Sequence, residues 1–328
     1  MNVPSDLELQ KIFSDNCIYS GPRKDLAIQR MVQVAGWFAV RYGDHNFMQE
    51  LTGTPEKYVQ RISEILIAHK MRRAGYKIIA KGKGPDFFVE KNGTSFWIEV
   101  VCPESKSIPD DYISQVNQSP DGLLAVPWND ILLRWSNSID QKAKKLLGHH
   151  GNDFQGYISK GLVKPEQPYV IAINARQLRG ALGIGFNGMS TRPCAVEALF
   201  GIGQAILAHV PNLDSTMPTQ KKNAELTNLQ RTAITKNNGS WVDTTSFFSP
   251  EFRAISAVWA MDIDESELLL EPKVHGISRA YWASAGIFNP LAANPISPGS
   301  LPTHEDWTCQ LNQNNYTLKC DSRIPFPA

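Results

Sequence analysis

Long hydrophobic runs and an excess of either charge are missing from this sequence. No apolar stretch approaches the ~20 residues that a membrane-spanning helix needs, so we expect no membrane partner. Lys and Arg number 33 against 32 Asp and Glu, which argues against a strongly basic nucleic-acid module. The net charge does not show how the charged residues are distributed over the surface. With a net charge near zero, we expect any nucleic-acid groove to be local or to be shared between the subunits of a homodimer.

Paired cysteines are missing as well. The odd number and wide spacing of the cysteines, without a C-x-x-C pair, disfavour a structural zinc site or a disulfide framework and favour a reducing cytoplasm. The first residues, MNVPSDLELQKIF, have no basic segment followed by an apolar run, so we expect no signal peptide. The five cysteines are Cys17, Cys102, Cys194, Cys309 and Cys320.

Helical signals dominate the first part of the chain. Apolar residues recur at intervals of three and four within 5–50, which predicts a helical N-terminal segment over 1–54. Thr54 and Pro55 are residue types that begin a helix, and Gly75 is one that ends it. We therefore predict a further helix from Pro55 to about Arg73.

Strands follow, with an Asn92-Gly93 pair that is a strong hairpin signal. The near-continuous apolar run PYVIAINA is typical of a strand that is buried on both faces. The order of elements predicts an α/β domain over 55–328, with a mixed central sheet and helices on both faces. The predicted elements are strands at 76–82, 84–93 and 94–104, a loop at 104–127, a helix at 128–150 and a strand at 168–175.

The later part of the chain gives weaker signals. AVEALFGIGQAILAHV is compatible with a helix, a strand or one of each, and 211–247 is polar, which favours a long loop. We expect an irregular insertion around 178–247, buried strands in FRAISAVWAMDI and ELLLEPKVHG, and an irregular tail from about Ala292.

Two acidic residues lie on the predicted hairpin. Asp86 follows Pro85 at the start of its strand, where the chain tends to bend. Glu99 lies inside the apolar run FWIEVV, and a carboxylate there is costly unless it is paired or binds a cation. The hairpin brings both carboxylates within reach of one hard cation, such as Mg²⁺, which prefers oxygen ligands. Glu64, on the preceding helix, is a candidate third carboxylate.

A helix bearing a glutamate, a strand that opens G-P-D and an apolar strand W-I-E-V-V resemble the PD-(D/E)XK superfamily of restriction-endonuclease-like nucleases. The similar stretch covers roughly residues 56–175, a little over a third of the chain. The resemblance implies a restriction-endonuclease-like core and hydrolysis of a phosphodiester, and we expect DNA as the substrate.

The sequence departs from the family pattern at one position. The family carries a lysine two residues after the acid of the third strand, and that residue here is Val101. Two explanations stay open: the lysine has migrated to the following helix, or the chemistry has been lost. Lys142 is the best candidate for a migrated lysine, and Lys106, Lys144 and Lys145 are weaker ones.

The resemblance implies roles for the site residues. Asp86, Glu99 and the backbone carbonyl of Val100 would hold Mg²⁺ or Mn²⁺, and Glu64 would bind a second metal or an outer-shell water. Lys142 would stabilise the reacting phosphate.

Two further groups have both a functional and a structural interpretation. Lys81 and Lys83 either contact DNA phosphates or are ordinary charges of an edge strand. His149 and His150 are better explained as residues at a helix end than as metal ligands.

The sequence as a whole predicts a metal-dependent endonuclease. The alternative is a catalytically inactive protein of the same fold that binds nucleic acid or a protein partner.

Overall fold

The computed structural model of the chain describes residues 3–17, 22–79, 83–114, 125–148, 154–180, 184–209, 224–269, 284–313 and 315–322. Seven helices lie in these residues: α1 (Asp6–Asn16), α2 (Pro22–Tyr42), α3 (Phe47–Leu51), α4 (Pro55–Arg73), α5 (Asp110–Ser114), α6 (Trp128–Leu147) and α7 (Cys194–Phe200). The strands within the same residues are β1 (Lys77–Ile79), β2 (Phe87–Lys91), β3 (Thr94–Val101), β4 (Tyr169–Asn174), β5 (Ile202–His209), β6 (Ala224–Gln230), β7 (Ala233–Thr235), β8 (Trp241–Asp243), β9 (Ala257–Met261), β10 (Ser284–Phe288), β11 (Glu305–Leu311) and β12 (Tyr316–Ser322).

An eight-stranded mixed sheet organises the fold, in the order β1-β2-β3-β4-β9-β10-β11-β12. The first three strands form an antiparallel meander, whereas β3, β4 and β9 run parallel. Two antiparallel pairs, β5 with β6 and β7 with β8, lie outside this sheet. Because β3, β4 and β9 are parallel neighbours, their carboxyl ends meet at one edge of the sheet, where side chains from both helix layers converge.

The helices bury both faces of the sheet. Alternate residues of β3 enter different clusters, as the two-residue period of a strand requires. Phe96, Ile98 and Val100 pack with α1, α2 and α4, whereas Trp97 packs with α6 and α7. The predicted α/β class with a mixed sheet is therefore confirmed.

The hairpin and the helix before it follow the local sequence signals. Asn92 and Gly93 adopt φ values of 49° and 79°, the pair of positive angles that a tight two-residue hairpin turn needs. α4 begins at Pro55, directly after Thr54, and Gly75 follows it with a φ of 84°. These predictions are confirmed.

Predictions for the later elements are corrected in several places. The predicted loop 104–127 contains α5, and the polar stretch 211–247 contains β6, β7 and β8. The stretch 178–247 is therefore not irregular throughout, and AVEALFGIGQAILAHV divides at Gly201 into α7 and β5. ELLLEPKVHG begins in a short 3-10 helix, Glu265–Leu268, rather than a strand, and its later residues lie outside the described ones.

The prediction of an irregular tail from about Ala292 holds as far as His304 and is wrong beyond it, since β11 and β12 continue the sheet. β11 pairs with β10 through contacts such as Ala285 with Glu305. β12 lies at the sheet edge and is largely exposed. Tyr316, Leu318 and Cys320 alternate with polar residues in β12, so the two-residue period of a strand is present there. The Pro and Asn content of the tail, on which the prediction rested, does not exclude a strand with such a period.

The helices of the N-terminal segment contribute directly to the core. Leu9, Phe13, Met31 and Phe38 belong to the same buried cluster as Ile98 of the sheet. Among the described helices, none combines the length and apolar character required to cross a membrane.

We expect Met31→Ala to lower the free energy of unfolding by about 2–5 kcal/mol, because it leaves a cavity among packed side chains. Met31 is 1 % exposed. Val40→Ala on the same helix is the matched control, since Val40 is 65 % exposed and surface changes usually stay within about 0.5 kcal/mol. Urea denaturation monitored by circular dichroism measures both. Equal effects of the two substitutions would contradict the packing of α2 described here.

Candidate active site at the carboxyl end of β3

The hairpin aligns Asp86 with Glu99. β2 and β3 are antiparallel with Phe87 opposite Ile98, so the next position in the register sets Asp86 opposite Glu99. The Asp86 side chain is partly buried, and its Oδ2 accepts a hydrogen bond of 2.6 Å from the backbone N–H of Val100. That bond holds the Asp86 carboxylate against β3 just beyond Glu99.

Glu99 is a buried carboxylate with three donors around it. Its side chain is 2 % exposed. Lys142 Nζ lies 2.7 Å from Oε1, Lys145 Nζ lies 3.0 Å from the same oxygen, and the Tyr157 hydroxyl lies 3.4 Å from Oε2. Burial and the Glu99 charge raise the pKa of Tyr157 to about 12, so this hydroxyl stays protonated at neutral pH.

Lys142 reaches Glu99 because it lies on the buried stripe of α6. Trp135, Ile139 and Leu146 are buried on that helix, and Lys142 falls between the last two at a helical spacing of three and four residues. A lysine in an apolar stripe is directed toward the core rather than toward solvent. This is the local reason why the lysine approaches the sheet from α6.

Val101 occupies the position where the family pattern has its lysine. Its side chain is partly buried and packs against the cluster formed with α6 and α7. Val101 therefore supplies packing and no charge, and the ammonium groups nearest Glu99 come from α6 instead.

Glu64 approaches the site from α4 on the other face of the sheet. It is buried, and both of its oxygens are engaged. Gln60 Nε2 donates to Oε1 at 3.0 Å and Arg61 donates to Oε2 at 2.7 Å. Burial raises the pKa of Glu64, and the charge of Arg61 opposes that rise.

Gln60 and Arg61 are site residues that the sequence patterns did not reveal. Gln60 accepts a hydrogen bond of 2.8 Å from the Cys102 N–H and lies 3.4 Å from the Val100 carbonyl, so it ties α4 to the end of β3. Arg61 also pairs with Glu50 and lies 5.7 Å from the Phe47 ring centroid. The only sequence signal for either residue is its helical spacing from Glu64.

The charges of the acidic side chains act on one another. Burial is the largest cause that raises the pKa of Asp86 well above its ordinary value of 3.8, followed by the charges of Glu99 and Glu64. The charge of Lys142 opposes the rise. The structure thus brings Glu64, Asp86, Glu99 and Lys142 close enough to interact electrostatically.

The other sequence candidates are not all part of this group. Lys83 is exposed on the segment that leads into β2, whereas Lys81, His149 and His150 lie outside the described residues. Lys106 pairs with Glu104 at 2.9 Å on the surface, and Lys144 pairs with Asp140 at 2.6 Å. Lys145 and Tyr157 are the further side chains that contact Glu99.

The oxygen donors of this site are few for a divalent cation. No group of three or more His, Cys, Asp and Glu side chains in the described part of the chain is arranged to hold a metal ion. Mg²⁺ commonly uses one or two carboxylates together with waters and substrate phosphates. Asp86, Glu99 and the Val100 carbonyl offer oxygen atoms of that kind, and in the metal-free protein both oxygens of Glu99 are contacted by Lys142, Lys145 and Tyr157.

Comparison of the chain with protein-family models, with curated proteins and with solved structures gives no match.

We expect Asp86→Asn to stabilise the metal-free protein at pH 8 by about 1 kcal/mol, the usual scale of a stabilising substitution. The folded-state pKa of Asp86 lies above its unfolded value. The cost of ionising Asp86 is therefore absent below about pH 4, grows as pH rises toward the folded-state pKa, and is constant above it. Denaturation in chelator at several pH values measures the gain, which should vanish near pH 4.

Asp140→Asn is the control, because Asp140 forms a surface ion pair with Lys144 and such pairs contribute only about 0–1 kcal/mol. A stability loss in Asp86→Asn that is larger at pH 8 than at pH 4 would contradict the electrostatic description of the site.

Proposed function

We propose that this protein is a metal-dependent phosphodiesterase that cleaves DNA through a restriction-endonuclease-like core. The observation that carries the proposal is the meeting of Asp86, Glu99 and Lys142 at the carboxyl end of β3, with the pKa of Asp86 raised well above its usual range. Strongly perturbed carboxylates beside a cationic side chain are characteristic of catalytic sites. The repulsion between these acids costs stability, and binding of a cation offsets it.

The proposed metal ligands are Asp86, Glu99 and the Val100 carbonyl, with Mg²⁺ or Mn²⁺ as the ion. A bound divalent cation neutralises charge that develops on phosphate oxygens and lowers the pKa of a coordinated water. Glu64 is held by Gln60 and Arg61, so in this proposal it acts mainly through its charge and through outer-shell water.

In this proposal the ammonium group of Lys142 lies beside the position where the phosphate reacts. Its Nζ bonds Glu99 Oε1 at 2.7 Å, and its side chain is only 13 % exposed. An ammonium group in such a water-poor position interacts strongly with a phosphate that gains negative charge, and its placement is fixed before the substrate arrives.

The direct test of the proposal uses supercoiled plasmid with Mg²⁺ or Mn²⁺. We expect the wild type to nick or linearise the plasmid and expect chelator to stop the reaction. Asp86→Ala and Glu99→Ala should each abolish cleavage while retaining the far-ultraviolet circular dichroism of the wild type. An intact plasmid under every metal condition would contradict the proposal.

The role of Lys142 is tested by removing this lysine from α6 and then placing a lysine at position 101 of β3. We expect Lys142→Ala to lower kcat about 10²–10³-fold, the usual loss when one group that stabilises the transition state is removed. Val101→Lys in the Lys142→Ala background should recover part of that loss, because Val101 and Glu99 lie on the same side of β3. Lys144→Ala is the control on α6 and should retain wild-type kcat. Wild-type kcat in Lys142→Ala would contradict this role.

A second candidate function is binding of nucleic acid or a partner protein without cleavage. It is favoured by the pairing of Glu99 Oε1 with both Lys142 and Lys145, which completes an ion-pair network without a metal. The two candidates differ in the plasmid assay. DNA binding without cleavage under any metal supports the second, and metal-dependent cleavage that Asp86→Ala abolishes supports the first.

A further inference from the structure

We propose that Lys145 is a phosphate-capturing side chain that exchanges its contact with Glu99 for a contact with the DNA backbone, while Lys142 stays on Glu99. This inference rests on the proposed function, since it assigns the substrate contact of the same site. Lys142 is then the buried partner of Glu99, and Lys145 is the exposed lysine that contacts the substrate.

The two lysines share an acceptor but differ in exposure. Both ammonium groups bond Glu99 Oε1, at 2.7 Å from Lys142 and 3.0 Å from Lys145. The Lys142 side chain is 13 % exposed, whereas that of Lys145 is 46 % exposed. Lys145 thus has the shorter path to solvent and the longer bond to Glu99, so it is the ammonium that a substrate in solution reaches first.

The side chains that bond to Glu99 carry more positive charge than Glu99 alone neutralises. One carboxylate charge of Glu99 meets two ammonium charges, and the remaining donor, the Tyr157 hydroxyl, is neutral. After Lys142 has neutralised Glu99, Lys145 contributes a positive charge that is half in solvent. A phosphodiester oxygen is a suitable acceptor for that ammonium.

The backbone of Lys145 is fixed, so the exchange needs only side-chain rotation. The Lys145 carbonyl accepts a hydrogen bond of 2.8 Å from the Tyr157 N–H, and the Leu146 carbonyl accepts one of 3.1 Å from the Ile158 N–H. A Cβ at Gly156 would collide with the backbone of Leu146. The end of α6 and the segment that carries Tyr157 are therefore packed together.

The segment after α6, which carries Tyr157, favours a nucleic-acid backbone over a single small anion as the ligand. It carries Lys160, which is exposed and lies 5.4 Å from the Phe154 ring centroid, and Lys164 is exposed shortly after it. Lys145, Lys160 and Lys164 are thus exposed cations on the end of α6 and the segment after it, and a nucleic acid offers successive phosphates to such cations. The ligand class for Lys145 is accordingly the phosphodiester backbone that flanks the reacting phosphate.

Lys144 provides a closely matched control. Its side chain is 47 % exposed, against 46 % for Lys145, and it also forms one ion pair from α6. Its partner Asp140 is itself 46 % exposed, whereas Glu99 is 2 % exposed. The two lysines therefore share helix, exposure and charge, and differ in which acid they contact.

The test is the salt dependence of affinity for a fluorescently labelled DNA duplex, measured by anisotropy in chelator so that no cleavage occurs. Each phosphate contact contributes about 0.9 to the slope of log affinity against log salt. We expect Lys145→Ala to reduce that slope by about 0.9, so that between 50 and 200 mM salt it loses about threefold less affinity than the wild type. Lys145→Arg should restore the slope, and Lys144→Ala should keep it unchanged.

A wild-type slope in Lys145→Ala, an equal reduction in Lys144→Ala, or no DNA binding by the wild type would overturn the assignment. Thermal melting of each variant shows whether it is folded. This test can fail independently of the proposed function. If Lys145→Ala reduces the salt slope but the wild type cleaves no DNA, phosphate capture is supported and the phosphodiesterase is contradicted. If the wild type cleaves DNA with a metal but Lys145→Ala keeps the wild-type slope, the phosphodiesterase is supported and phosphate capture is contradicted.

Discussion

Burial of the Glu99 carboxylate is the constraint on which the site depends. A charge inside an apolar strand is stable only if donors surround it, because isolated burial of a carboxylate is very costly. Lys142, Lys145 and Tyr157 supply those donors. Since these residues come from α6 and the segment after it, the requirement to compensate one buried charge also fixes how that layer lies over the carboxyl end of β3.

Two further acids, Glu64 and Asp86, belong to the same site. Glu64 arrives on α4 with Arg61 bound to it, and Asp86, which lies opposite Glu99 in the hairpin register, accepts a hydrogen bond from the Val100 N–H on one oxygen. Asp86 lacks a cationic partner at hydrogen-bond distance among the described residues and experiences the charges of Glu99 and Glu64. An arrangement that costs stability in the metal-free protein is physically reasonable where a cation or a substrate relieves it.

Local sequence signals predict where several of these side chains lie. The turn at Asn92-Gly93 fixes the register of the hairpin and hence the alignment of Asp86 with Glu99. The spacing of Lys142 from Ile139 and Leu146 directs its side chain inward, whereas Lys144 leaves that stripe and meets Asp140 on the surface. These features depend on residues within one or two turns of each other, which periodicity and turn chemistry describe.

The sequence predicts less where partners are distant in the chain. Gln60 acquires its role from Val100 and Cys102, and Tyr157 acquires its role from Glu99, about 40 and 58 residues away. Such contacts exist only after the sheet has assembled, so local patterns do not contain them.

The central claim is that Asp86 and Glu99 together bind a divalent cation. Anomalous diffraction from a crystal grown with Mn²⁺ tests it most directly. The account predicts an anomalous peak in contact with both carboxylates, and predicts its loss in Asp86→Asn. No peak at this position in the wild type, or a peak that persists unchanged in Asp86→Asn, would contradict the account.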